Sequence, residues 1–296
     1  MSQVAIFWDP KGMELSVLGS KRYLRATDGD TPYVAVSIRM LSIDTPEVHY
    51  PGNAKPSKQD ENLGQLAEWL KQGKAPIQSR LSEHLYSKLV TGKAGSVHEE
   101  HGIKATEVFE SLIEDKLSRA NSNRKRQVFL RVADQPFDQY GRLLAYMAPN
   151  YSATERAGMS RRERATFNLL MVESGWAAPF PIYPSLPRHL DLTLLQETGK
   201  EAVEKKKGAW ADPLTLTGYE FRMCIRLYGV TKKLEQGHKL SQTERYSWID
   251  RYCVDMTTRK IYYPQSYYRV KPFNRIFIWP EDVNEAVAKL NLLPAS

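Results

Sequence analysis

The segment Arg39-Met40-Leu41-Ser42-Ile43-Asp44-Thr45-Pro46-Glu47 governs how the rest of the chain is read. It closes a run from Tyr33 to Ile43 that is rich in β-branched residues and alternates with a period of two, which predicts a strand. In that alternation Val34, Val36 and Ile38 share one face, and Ser37, Arg39, Leu41 and Ile43 share the other. A mostly apolar strand that carries one arginine predicts a partly open face. Pro46 stops the ladder, so Asp44 and Glu47 stand on the turn that follows. Asp28-Gly29-Asp30 is a tight turn before the strand, with Asp-Gly supplying the positive φ such a turn favours.

Working outward, residues 3–8 and 13–18 read as short strands around Asp9-Pro10-Lys11-Gly12, and Tyr23–Thr27 as another. Beyond Glu47, residues 51–62 are polar with two prolines and read as loop. Leu63–Trp69 and Leu81–Val90 read as helices, with Leu81, Leu85 and Leu89 on one face. Thr91–Ser96 is a predicted linker, and Gly102–Leu117 a further helix. Strands are expected at Gln127–Val132 and Leu143–Met147, joined through the turn Tyr140-Gly141-Arg142. Thr166–Ser174 predicts an amphipathic helix stopped by Gly175, and His189–Lys207 a long one stopped by Gly208. After Pro213 the chain becomes rich in Tyr and Trp, with strand-like runs at 259–263 and 274–279 and a last helix at Glu281–Leu290.

The chain has 296 residues, 42% hydrophobic and 26% charged, with a formal net charge of +8; this is globular material, and the basic excess favours polyanionic partners. Cys224 and Cys253 form no C-x-x-C pair, which argues against a disulfide framework or a cysteine zinc knuckle. No window approaches 18 consecutive apolar residues, and the N-terminus carries no basic-then-apolar leader, so the expected location is cytoplasmic, with no membrane partner.

The charged residues around the strand point to chemistry. Asp30 and Asp44 are hard oxygen donors, suited to Ca²⁺ or Mg²⁺ rather than zinc, and a curled strand brings both ends near one ion. Glu47 is one short turn away, placed to take a proton from an attacking water. Arg39 and Arg142 are suited to gripping a phosphate in bidentate fashion and stabilising transition-state charge. Taken singly, Asp-Gly-Asp and Asp-Thr-Pro-Glu are common turn and helix-start sequences; their order together carries the signal.

Asp28-Gly29-Asp30-Thr31, then Arg39 through Glu47, then Asp138-Gln139-Tyr140-Gly141-Arg142-Leu143-Leu144-Ala145-Tyr146 resembles the staphylococcal-type thermonuclease family, with its D-G-D-T, R-x-x-x-x-D-T-P-E and Y-G-R-x-L-A-Y motifs. The resemblance covers roughly residues 3–50 and 100–212. It implies an α+β fold: an OB-type five-stranded β-barrel with three helices, starting near Gly102, near Asn168 and at about Leu195. It also implies a calcium-dependent nuclease that cuts DNA and RNA with little sequence preference and leaves 3′-phosphates. Carried over, Asp30 and Asp44 are calcium ligands together with the Thr45 carbonyl, Glu47 is the base, Arg39 and Arg142 hold the phosphate, and Tyr140 binds the nucleotide. Tyr183 is a further candidate for base stacking, although its loop departs from the family pattern.

Two segments depart from the family. The surplus between Glu47 and Tyr140 maps to roughly 51–100 and reads as a helical insertion, either a lid beside the site or surface decoration. The expected domains are therefore 1–213, catalytic and carrying that insertion, and 214–296, a small C-terminal α+β domain. The tail faintly resembles a small Ada-type metal-binding module, but Ser266 and Pro294-Ala295 stand where that module has thiols, so no zinc is expected. Its tyrosines and arginines suit single-stranded nucleic acid, self-association or a protein partner. Basic runs at Arg119–Arg131 and Arg156–Arg164 are either phosphate tracks or solvated faces. His49 reads as a bystander, and His98 and His101 as weak metal candidates. The competing reading of the whole chain is a non-catalytic OB-fold module that binds nucleic acid or protein.

Overall fold

Ser42 breaks the run that alternation predicts as one strand. Its φ is 60°, in the left-handed region that turns a chain. The turn is held from outside: its carbonyl accepts the Phe180 N–H at 2.7 Å, and its hydroxyl hydrogen-bonds the Tyr146 hydroxyl at 2.6 Å. In the computed structural model, which describes residues 18–49, 53–119 and 122–295, β1 (Tyr23–Ala26) is followed by three short strands, the last two separated by this turn. These are β2 (Pro32–Val34), β3 (Ile38–Met40) and β4 (Ile43–Asp44). The strands expected at 3–8 and 13–18 lie, but for Leu18, outside the described residues.

Three helices follow: α1 (Asp60–Lys71), α2 (Ser79–Leu89) and α3 (Ala94–Leu117). The linker expected at 91–96 is shorter, since α3 begins at Ala94. Next come β5 (Val128–Phe137), β6 (Leu143–Pro149), α4 (Ala153–Ala157), α5 (Phe167–Glu173), β7 (Ala178–Pro179) and α6 (His189–Glu204). Thr166 caps α5 by accepting the Leu169 N–H, and Gly175 follows the helix at φ 80°. The C-terminal segment holds α7 (Gly218–Glu235), α8 (Gln242–Tyr246), β8 (Tyr252–Asp255), β9 (Lys260–Tyr262), β10 (Arg275–Ile278), α9 (Val283–Leu290) and β11 (Leu293–Pro294).

The chain is α+β, and it divides into two compact units. One takes in the described residues up to Arg39 together with Arg131–Ala145; the other takes in Met40–Leu130 and Tyr146 onward. β1 and β2 form an antiparallel hairpin in the first unit. A three-stranded sheet has the order β3-β6-β5. In the second unit β4 pairs antiparallel with β7, matching Asp44 to Ala178, and a four-stranded sheet runs β10-β8-β9-β11. Among the described residues no sheet closes into a barrel. No described helix is long and apolar enough to cross a membrane.

Three apolar clusters hold the second unit. Ile43, in the middle of the diagnostic segment, packs with Ala105 of α3, Met171 and Val172 of α5 and Leu195 of α6. Tyr183, Val254, Ile276, Ile278 and Ala286 form a second cluster around the C-terminal sheet. The third and largest cluster joins the predicted insertion to the tail: Leu63 and Leu66 of α1 and Leu81, Leu85 and Leu89 of α2 share it with Phe221, Cys224 and Leu227 of α7, Trp248 and Tyr267. The leucine spacing that predicted α2 thus marks its buried face, and residues on both sides of position 213 lie in one core. Both cysteines are unpaired and buried there, and burial pushes the Cys253 thiol up to about 12.

Candidate active site

The acidic end of the diagnostic segment is closed by an arginine from the tail. Asp44 ends β4 with its side chain fully buried. Both of its carboxylate oxygens accept from Nη2 of Arg222, at 3.0 Å each. Nη1 of the same guanidinium donates to Oε1 of Glu47. Burial alone would depress the Arg222 pKa, but the Asp44 and Glu47 carboxylates outweigh it and raise the value. One planar, delocalised cation therefore serves both carboxylates, as the guanidinium fork allows.

Close backbone approach brings the two elements together. Gly218 is the first residue of α7, and a β-carbon added to it would lie 2.6 Å from Asp44 Oδ2 and 2.6 Å from the Thr45 carbonyl oxygen. From the other side, a β-carbon at Gly102 of α3 would lie 2.6 Å from the Glu47 carbonyl carbon. Glycine at both positions lets two helices touch the 44–47 backbone directly. His98, one turn before Gly102, is buried; its Nε2 accepts the Glu47 N–H at 3.1 Å and stands 3.3 Å from Glu47 Oε2. Accepting that N–H leaves the ring proton on Nδ1, which is buried with no partner among the described residues. The imidazole stacks on Phe221 of α7, with ring centroids 3.9 Å apart and planes 10° apart.

α7 is itself anchored by charge. A reciprocal capping box between Thr217 and Glu220 starts the helix. The buried Glu220 carboxylate also accepts from Lys88 Nζ of α2 at 2.9 Å and from the Tyr267 hydroxyl at 3.1 Å, and lies 3.3 Å from His84 Nε2. Burial would raise the Glu220 pKa; Lys88, His84 and Arg275 hold it well below the ordinary value. Arg222 is one residue beyond Phe221 on the helix that this cluster fixes.

The first unit carries the other expected residues. Asp138 organises the Tyr140-Gly141-Arg142 turn: Oδ1 accepts the Tyr140 and Arg142 N–H groups at 2.9 and 3.0 Å, and Oδ2 accepts from Arg142 Nε at 2.7 Å. Burial works against the Asp138 carboxylate, but these bonds win and lower its pKa. Gly141 sits at φ 66°, and an added β-carbon would strike the Leu18 carbonyl oxygen, so glycine is required there. Tyr140 is 69% exposed, with the Arg142 guanidinium 5.2 Å from its ring centroid. Asp30 stands on the exposed β1–β2 turn and accepts from the Thr31 hydroxyl at 3.2 Å, and Arg39 lies half-buried in β3.

Of the expected residues, Asp44, Thr45 and Glu47 meet in the second unit, and Tyr140 and Arg142 meet in the first. Tyr183 is 5% exposed and belongs to the apolar cluster around the C-terminal sheet. Among the described residues no three His, Cys, Asp or Glu side chains gather to hold a metal ion. Arg222, His98, Gly218 and Gly102 were not singled out as partners of this site. For Arg222 a signal existed: Thr217-x-x-Glu220 is a capping-box sequence, and Phe221, Cys224, Tyr228 and Thr231 recur at helical spacing after it.

Comparison with known proteins gives one finding. The family model described as staphylococcal nuclease homologue matches residues 37–212, more than half of the 296-residue chain. No curated protein matches it. The match begins just before Arg39 and takes in Asp44, Glu47, Tyr140 and Arg142. With the motif order and the convergence of Asp44 and Glu47 described above, the chain belongs to the staphylococcal nuclease homologue family.

Proposed function

We propose that the chain is a phosphodiesterase of this family: a calcium-dependent nuclease that cuts DNA or RNA with low sequence specificity and leaves 3′-phosphates. The observation that carries the reading is the convergence of the Asp44 and Glu47 carboxylates on one positively charged group. A carboxylate of the ligand type beside a carboxylate of the base type is the pair that metal-assisted hydrolysis draws on, although the cation they share here is the Arg222 guanidinium. Glu47 takes the proton of the attacking water. Arg39 and Arg142 hold the phosphate and the charge that grows on it, and Tyr140, exposed beside Arg142, offers a face to the nucleotide.

As arranged here, these residues do not fit a calcium ion. Both Asp44 oxygens and one Glu47 oxygen are bonded to Arg222, and the Gly218 backbone presses on the Thr45 carbonyl. The same contact favours a second reading, a non-catalytic module that binds single-stranded nucleic acid without cutting it. Single-stranded DNA incubated with the full chain and calcium separates the two. In the nuclease reading, Glu47→Gln lowers cleavage by at least about a hundred-fold, the usual size of a general-base contribution. Cleavage that is unchanged in Glu47→Gln removes the base assignment. Retention of labelled DNA without cleavage by either protein supports the binding module.

A further inference from the structure

The cation at the acid site belongs to the chain itself. We infer that Arg222 is the resident counter-ion of Asp44 and Glu47, and that the fold described here is a latent form, which accepts a divalent cation only when α7 withdraws that guanidinium. The link to latency rests on the nuclease reading above; the exclusion of the metal does not.

Three observations carry the inference. The first is occupancy. Arg222 takes both oxygens of Asp44, the hard donors a divalent cation would take, and one oxygen of Glu47, the expected base. The second is shape. Gly218 places the start of α7 against Asp44 Oδ2 and the Thr45 carbonyl, so that carbonyl is covered too. The third is anchoring. Phe221 stacks on His98, and Glu220 is tied to Lys88 and Tyr267, so Arg222 rides on a helix fixed at the two residues just before it. All of these residues lie in one compact unit.

A guanidinium and a metal ion cannot share these oxygens, so the two states compete. The apparent affinity for the metal is then reduced by the fraction of molecules in which Arg222 is withdrawn. Removing the charge removes that competition. Arg222→Gln should therefore raise the affinity of the full-length protein for calcium by about ten-fold or more. Gly218→Ala should act in the same direction with Arg222 intact, because its methyl group cannot fit against Asp44 and Thr45.

The experiment is calcium titration of the full-length wild type, Arg222→Gln and Gly218→Ala, read by calorimetry and by thermal unfolding, with cleavage of single-stranded DNA as a separate arm. The expected result is weak calcium binding by the wild type and tighter binding by both variants, with Arg222→Gln unfolding at a lower temperature in chelator and recovering in calcium. Equal calcium affinity in all three proteins overturns the inference. If Arg222→Gln does not fold, Gly218→Ala decides alone. Calcium binding by the variants without cleavage would sustain the resident counter-ion and sink the nuclease reading.

Discussion

A double-mutant cycle on Asp44 and Arg222 measures the contact on which the site turns. Asp44→Asn keeps the shape of the side chain and removes its charge; Arg222→Met keeps most of the apolar stem and removes the guanidinium. The Asp44 side chain is fully buried and that of Arg222 is 21% exposed. Two unit charges about 4 Å apart at an effective dielectric of about 20 attract by about 4 kcal/mol. Removing one partner of a buried pair costs about 3–5 kcal/mol, largely because the other charge is stranded. The two single variants should differ. Arg222→Met takes the guanidinium from both Asp44 and Glu47 and belongs at the upper end, about 4 kcal/mol. Asp44→Asn leaves Arg222 with Glu47 and should cost about 1–3 kcal/mol, the range for leaving a buried polar group short of a partner.

The double variant should be hardly less stable than Arg222→Met, giving a coupling energy of about 1–3 kcal/mol. The assay is equilibrium unfolding in urea with a chelator present, so that no metal replaces the lost arginine, and with m-values compared to confirm that the unfolded states match. For a chain of this size each kcal/mol shifts the melting temperature by roughly 2–4 °C, so thermal scans provide a second readout. Strict additivity, with coupling under about 0.5 kcal/mol, would refute the reasoning. It would mean that Asp44 and Arg222 are neighbours without dependence on each other.

Three further outcomes follow from the packing around the site. Glu220 has a folded pKa below its ordinary 4.5, so its contribution is fully present above about that pH and is lost as pH falls below it; Glu220→Gln should flatten the acid limb of melting temperature against pH. His101 is buried beside Thr215 and its pKa is lowered chiefly by burial, so stability should begin to fall as pH drops below 6.5, and His101→Gln should remove that earlier limb. Gly102→Ala puts a methyl group into the Glu47 backbone and should cost about 1–3 kcal/mol by overpacking, seen in urea unfolding, while an alanine at exposed Gly158, where an added β-carbon meets nothing, should not.

Much of the local structure was legible because it is set by local rules. The leucine face of α2, the Thr166 cap and the glycine after α5 each need only a few consecutive residues. The break at Ser42 was not legible. A serine at positive φ has no strong sequence signature, and this one is held by Phe180 and Tyr146, more than a hundred residues away. The site divided along the same line. Asp44, Thr45 and Glu47 follow one another within four residues, and their convergence could be expected from the turn. Arg222 pairs with them across 175 and 178 positions, from a helix that the Tyr- and Trp-rich composition of the tail concealed.

The two departures from the family pattern are connected through this helix. The insertion supplies Lys88, which binds Glu220 of α7, and a leucine face that shares a core with Phe221 and Leu227. α3, which begins within the insertion, supplies His98, which accepts the Glu47 N–H and stacks on Phe221. Neither segment alone would explain an arginine held against Asp44. α7 needs a surface to lie on and a counter-charge for Glu220, and the insertion provides both. A fully buried Asp44 in turn needs a positive partner, since an unpaired buried carboxylate is among the costliest groups a fold can carry. In this arrangement the positive partner is covalently part of the chain, so the acid site can fold without a metal, and admitting one requires work against the core that holds α7.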